Sequence, residues 1–174
     1  MSAELQLLVE TLRDVMGSRV EWCMMNSLPA AALPKELPAG LPVSLREFFM
    51  VANGATCGDV TVFSASTVDQ MQFYADPVPG AEVVLGRRRW LCCGAIADDP
   101  FFVNRLNGEV WYFPDTGAEW WRSSSFEKAA DDVTSFFLRF MAGPRYVDLS
   151  ATGREDQWAE LLSHAGLLEQ TGIR

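Results

Sequence analysis

Histidine is almost missing from this chain: His164 is the single one in 174 residues. A serine or cysteine nucleophile that needs an imidazole base would have to use it, and no Gly-x-Ser-x-Gly elbow accompanies it. Cysteine is scarce too. Cys23, Cys57, Cys92 and Cys93 are too few and too scattered for the disulfide framework of a small secreted domain. With one histidine they also fall short of the clustered spacings of a zinc site, so neither a metal nor a cofactor is expected. No apolar run approaches the roughly 20 residues that span a bilayer. Residues 1–16 carry Glu4, Glu10, Arg13 and Asp14, the polar side of a helix where a secretory signal would have an apolar stretch. A reducing, cytoplasmic compartment is therefore expected. Basic charge is outnumbered, with 14 Lys and Arg against 23 Asp and Glu and a net charge of −9. That sign opposes nonspecific binding to nucleic acid or to an anionic membrane surface, and it favours a cationic partner.

What is present is ordinary globular material, 49% hydrophobic and 21% charged. The length suits one domain that buries its own core. Leu5, Leu8, Leu12 and Val15 recur at three- and four-residue spacing, which predicts a helix over 3–16. Residues 20–24 read as a short strand. Pro29, Pro34, Pro38 and Pro42 break up residues 26–42, read as a wrapping loop with a helical turn at 30–32. Pro42 suits the first turn of a second helix carrying Leu45, Phe48, Phe49 and Ala52, closed by Asn53-Gly54. Residues 59–63 and 90–96 read as strands, and 66–74 as a short helix. Asn107-Gly108 between two apolar runs predicts a hairpin on a type I′ turn. Residues 119–123 read as a further strand. Ser124 and Glu127, then Thr152 and Glu155, have the spacing of capping boxes that open two more helices. The layout is α+β: a mostly antiparallel sheet of about five to six short strands flanked by N- and C-terminal helices. Residues 1–144 form the expected domain, and 145–174 a helical extension packed on it.

Acidic residues carry the clearest chemical signal. From Asp98 to Asp132 eight acids face only Arg105, Arg122 and Lys128, a local charge of −5. Two readings stay open: a solvated face with acids at helix N-termini, or a surface that steers a basic protein partner. Paired carboxylates could also serve a glycosidase, but nothing in the sequence fixes their separation. Arg87-Arg88-Arg89 reads as a solvated loop, and Gly54-Ala55-Thr56-Cys57-Gly58 lacks the lysine of a phosphate-binding loop. Trp111, Trp120 and Trp121 gather near the hairpin. Either they lie partly exposed beside the acids, as at an interface, or a terminal helix bearing Trp158 covers them. The candidate partner-binding residues are Asp98, Asp99, Trp111, Asp115, Glu119, Trp120 and Trp121.

The order of these features resembles the SUKH superfamily, also called the Smi/Knr family. Leu41-Pro42-Val43-Ser44-Leu45-Arg46-Glu47-Phe48-Phe49 with Asn53-Gly54 resembles its entry motif. Trp90 to Gly94 is similar to its apolar strand. Asp99-Pro100-Phe101-Phe102-Val103-Asn104 and Gly108-Glu109-Val110-Trp111 are similar to its paired central strands, and Ser125-Phe126-Glu127 leading to Phe136-Phe137 to its closing helix. The likeness covers roughly residues 1–142. The long Pro-rich stretch, the arginine run and residues 145–174 depart from the pattern. The resemblance implies a SUKH-like α+β fold and a binding protein, not an enzyme: a bacterial immunity protein that neutralises a cognate toxin domain, often a nuclease. Its alternative is an intracellular scaffold or regulator without a toxin partner.

Overall fold

A computed structural model describes residues 3–115, 119–151 and 153–168. Its centre is a six-stranded sheet in which each strand pairs antiparallel with its sequence neighbours. The strands are β1 (Ala55–Cys57), β2 (Val60–Val62), β3 (Trp90–Ile96), β4 (Asp99–Asn104), β5 (Val110–Tyr112) and β6 (Glu127–Ala130). The expected α+β layout with an antiparallel sheet is the architecture seen. The register sets Val62 against Gly94, Ile96 against Asp99 and Val103 against Val110. A bulge between Cys92 and Gly94 puts one extra residue into β3. At the bulge, a β-carbon on Gly94 would run into the Thr61 carbonyl oxygen and the Phe101 ring, so only glycine fits.

Strand alternation divides the apolar residues between two cores. Leu91, Cys93, Phe101, Val103 and Val110 point into the first, against the helices. Trp90, Cys92 and Phe102 point into the second, on the other face. Adjacent Cys92 and Cys93 thus occupy opposite sides of the sheet.

Helix α1 (Ala3–Gly17) buries Leu5, Val9, Leu12 and Met16; Leu8 and Val15 flank that stripe, half-buried. Residues 20–25 form helix α2 (Val20–Met25), not the expected strand. Only Trp22 of α2 is buried, and Val20, Met24 and Met25 stay exposed. One buried anchor suits a helical turn leaning on α1 better than a two-faced strand, and the Asn26 amide closes the turn by donating to the Trp22 carbonyl at 3.0 Å. The Pro-rich stretch wraps as expected. Its helical turn falls at Pro34–Glu36 instead of 30–32, and Ser27 bridges to Thr56 along the open edge of β1. Helix α3 (Val43–Phe49) follows Pro42 and buries Leu45, Phe48 and Phe49.

Strand β1, residues 55–57, has no counterpart in the sequence reading. Three further expectations need correction. Residues 66–74 are turns ending in a 3₁₀ helix at Gln72–Ala75. The β4–β5 connection is longer than a two-residue turn: Gly108 has φ +83°, no positive φ occurs at Asn107, and the Asn104 and Asn107 side chains bond the backbone of Leu106 and Glu109 instead. Residues 119–123 are not a strand but contain a 3₁₀ helix, Trp120–Arg122, while residues 127–130 take the place beside β5. The capping box at Ser124 therefore opens no helix. Helix α4 (Val133–Phe136) starts at Asp132, whose carboxylate accepts from the Ser135 amide at 2.6 Å, and runs on as a π-helical turn over Phe137–Met141. Strand pairing satisfies the outer backbone groups of β5, a gain that local capping chemistry does not anticipate.

Helix α5 (Tyr146–Leu149) has no counterpart in the sequence reading. Helix α6 (Gln157–His164) is capped by Asp156, which accepts from the Ala159 amide at 2.6 Å; the expected cap, Thr152, lies outside the described residues. Tyr146, Leu149, Trp158, Leu161 and Leu162 belong to the same core as Leu5 and Phe48, and the Trp158 indole donates to the Met141 carbonyl at 2.6 Å.

The second face is covered neither by solvent nor by a terminal helix. The irregular segment 64–88 and the Trp120–Arg122 turn lie over it, contributing Ala75, Leu85 and Trp120. Gln72 pins this cover to β3: its amide nitrogen donates to the Cys92 carbonyl at 2.8 Å, and its oxygen accepts from the Cys92 amide at 3.1 Å.

Candidate functional site

The tight β3–β4 connection consists of Ala97 and Asp98, between paired Ile96 and Asp99. Ala97 has φ +52°, the one non-glycine in the left-handed region among the described residues. Its amide donates to the Asp59 carbonyl at 2.6 Å, which ties the connection to the β1–β2 turn. The tip presents Asp98 exposed and Asp99 half-buried.

Below the tip lies a groove of about 430 Å³. Ile96 and Tyr112 form one wall, Phe113 and Pro114 continue it, and Leu149 and Ala151 close it from the other side, with Asp148 at the rim. Asp148 is already matched, since the Arg145 Nε donates to it at 2.8 Å and the same guanidinium lies over the Phe140 ring at 4.3 Å. Among the described residues no cation pairs with Asp98 or Asp99. Burial, and then the neighbouring Asp98 charge, push the Asp99 carboxyl above the usual carboxylate range. Burial, followed by the Glu127 charge, raises the Tyr112 phenol as well.

Asp59 holds the groove together. Its carboxylate accepts from the Ser150 hydroxyl and from the Ala151 amide, both at 2.9 Å. Beside it the Tyr146 hydroxyl donates to Asp156 and accepts from the Asp59 amide at 3.1 Å. Burial, then the bond to Asp156, push that phenol up.

The remaining candidates are dispersed. Asp115 accepts from the Ser123 hydroxyl at 2.8 Å. Glu119 pairs with Arg122 at 3.0 Å, both exposed. Trp111 is half-buried and donates to Glu109 at 3.1 Å. Trp120 is buried, with Trp121 half-buried across an edge contact of 5.7 Å. All three tryptophans belong to the second core, where Trp111 meets Trp90 at 5.8 Å and Trp120 meets Phe113 at 5.7 Å. Trp158 lies in the first core and covers none of them. The structure thus gathers Asp98 and Asp99 with Tyr112, Asp148 and Leu149, and sets Trp111, Trp120 and Trp121 in another layer. Tyr112, Asp148 and Leu149 escaped the sequence reading because the groove joins segments about fifty residues apart.

Other chemistry-bearing groups are occupied or plain. His164 is exposed on α6, its ring 5.2 Å from Trp22. Arg87 makes a two-pronged pair with Asp76, and Arg89 lies over Trp90 at 5.3 Å. Burial raises the Cys57 and Cys93 thiols and pushes Cys92 up to about 12. Among the described residues no three His, Cys, Asp or Glu side chains are grouped to hold a metal ion, and no helix is long and apolar enough to cross a membrane. Compared with protein-family models and with curated proteins, the chain matches none.

Proposed function

We infer that the chain is a binding protein that neutralises a toxin domain by direct contact, as SUKH-like immunity proteins do. The carrying observation is the Asp98–Asp99 tip: two carboxylates without a cation among the described residues, set over a groove with apolar walls. A net charge of −9 supports the same reading, because an acidic surface speeds association with a basic protein and competes with that protein's nucleic-acid substrate. The order of motifs resembling the SUKH superfamily adds the biological role. The test is co-purification with the toxin-like domain encoded beside this gene, followed by calorimetry at low and high salt. One-to-one binding that weakens with salt is the expected result. Binding that ignores salt moves the contact to apolar surface. Absence of binding favours a scaffold or regulatory role on the same fold.

A further inference from the structure

We propose that the groove beneath the Ala97–Asp98 connection receives one arginine side chain from the protein partner; this rests on the binding reading above and specifies its chemistry. The walls formed by Ile96, Tyr112 and Leu149 offer apolar surface for an aliphatic stem, and the two acids stand where its charged head would emerge. Arg145, three residues before Asp148 on the same helical turn, pairs with it at 2.8 Å, whereas Asp98 and Asp99 have no matching cation among the described residues.

Arginine fits better than lysine for a reason visible in the adjoining wall. There a guanidinium already lies over an aromatic ring, Arg145 on Phe140 at 4.3 Å, while its edge bonds a carboxylate. Tyr112 with Asp99 offers an incoming guanidinium the same pair of surfaces: a ring to cover and an oxygen to bond. A planar fork can use both together, and a compact ammonium can use only one at a time. A metal ion is a poorer occupant, because no third ligand stands with the two acids among the described residues. The Asp99 carboxyl, held high by burial and by Asp98, would gain from a cation on both counts.

The experiment titrates the isotope-labelled, full-length protein with Nα-acetyl-arginine methylamide and follows backbone amide resonances. The lysine and citrulline counterparts serve as controls; citrulline keeps the shape and lacks the charge. Saturating shifts at Ala97, Asp99, Tyr112 and Leu149 are expected with arginine, weaker ones with lysine and none with citrulline. The double variant Asp98→Asn, Asp99→Asn should bind arginine about tenfold more weakly, as the loss of one exposed and one half-buried charge contact implies. Equal shifts from arginine and citrulline, shifts lying elsewhere, or an unaffected double variant would overturn the assignment. Its failure is separable from failure of the immunity reading. A toxin domain that binds the double variant as tightly as wild type removes the groove and keeps the function. Arginine in the groove with no toxin binding keeps the groove and removes the toxin.

Discussion

Replacing Asp59 with alanine should loosen one wall of the groove and leave the other in place. The carboxylate accepts two hydrogen bonds at 2.9 Å, from Ser150 Oγ and from the Ala151 amide. Bonds to a charged acceptor contribute about 1.5–3 kcal/mol each; the Ala151 bond is lost outright, while Ser150 Oγ keeps Asp156 as an acceptor at 3.0 Å, so about 2–3 kcal/mol is lost in total. For a chain of this size that lowers the melting temperature by about 4–12 °C. Hydrogen exchange provides an internal control. The Ala151 amide loses its side-chain acceptor and should exchange at least about tenfold faster. The Ala97 amide bonds the Asp59 backbone carbonyl at 2.6 Å, which the substitution leaves intact, so its protection should fall only with global stability. Asp59→Asn keeps an acceptor oxygen and should fall between alanine and wild type. A melting temperature within about 2 °C of wild type, or equal acceleration at Ala97 and Ala151, would refute the role assigned to Asp59.

Gly94→Ala should destabilise by more than about 3 kcal/mol and most of the protein should fail to fold, since the new methyl meets backbone and ring at once; soluble yield and a denaturant midpoint decide it. Asp132→Ala should cost about 1 kcal/mol by uncapping α4, while Ser124→Ala should stay within about 0.5 kcal/mol; the opposite order would restore the capping box that the sequence suggested. Asp99 has a folded-state pKa raised above its ordinary value, so the folded protein takes up its proton first and the group opposes folding only while ionised. Asp99→Asn should therefore melt higher than wild type near pH 7, and the gap should close as pH falls through the raised pKa. A gap that widens toward acid would mean the carboxylate is stabilised by a partner.

Legibility followed the range of the interactions. Helix α1 was readable because its apolar stripe repeats within the helix itself, and the start of α3 because Pro42 marks it, although α3 ends at Phe49 with Met50 as its cap, short of the expected close at Asn53-Gly54. Residues 119–130 were misread because two local signals pointed the wrong way. Trp120 and Trp121 have the composition of a strand, yet Trp120 turns into the second core. Ser124 and Glu127 have the spacing of a cap, yet residues 127–130 pair with β5 and Lys128 bonds Glu109 across the strands at 2.7 Å. Half of the candidate site was legible: Asp98 and Asp99 stand out as adjacent acids before a strand. Its other half was not, because nothing near Asp148 or Leu149 in the sequence signals that they face residue 97.

On the proposed binding reading, that second half gives the segment beyond residue 144 a part in binding as well as in stability. Strands β3 to β5 supply Ile96, Asp99 and Tyr112, which alone make an open surface with two acids at its lip. Leu149 and Ala151 convert that surface into a groove, and they reach it because Tyr146 is buried in the first core and Asp59 holds residues 150 and 151. Deleting the segment would be an uninformative test, since Tyr146, Trp158 and Leu161 would leave the core with it and the protein would lose packing worth several kcal/mol. Substituting Asp59 separates the two effects. It releases the wall while the buried anchors stay in place, so a drop in partner affinity larger than the drop in stability would tie the C-terminal segment directly to binding.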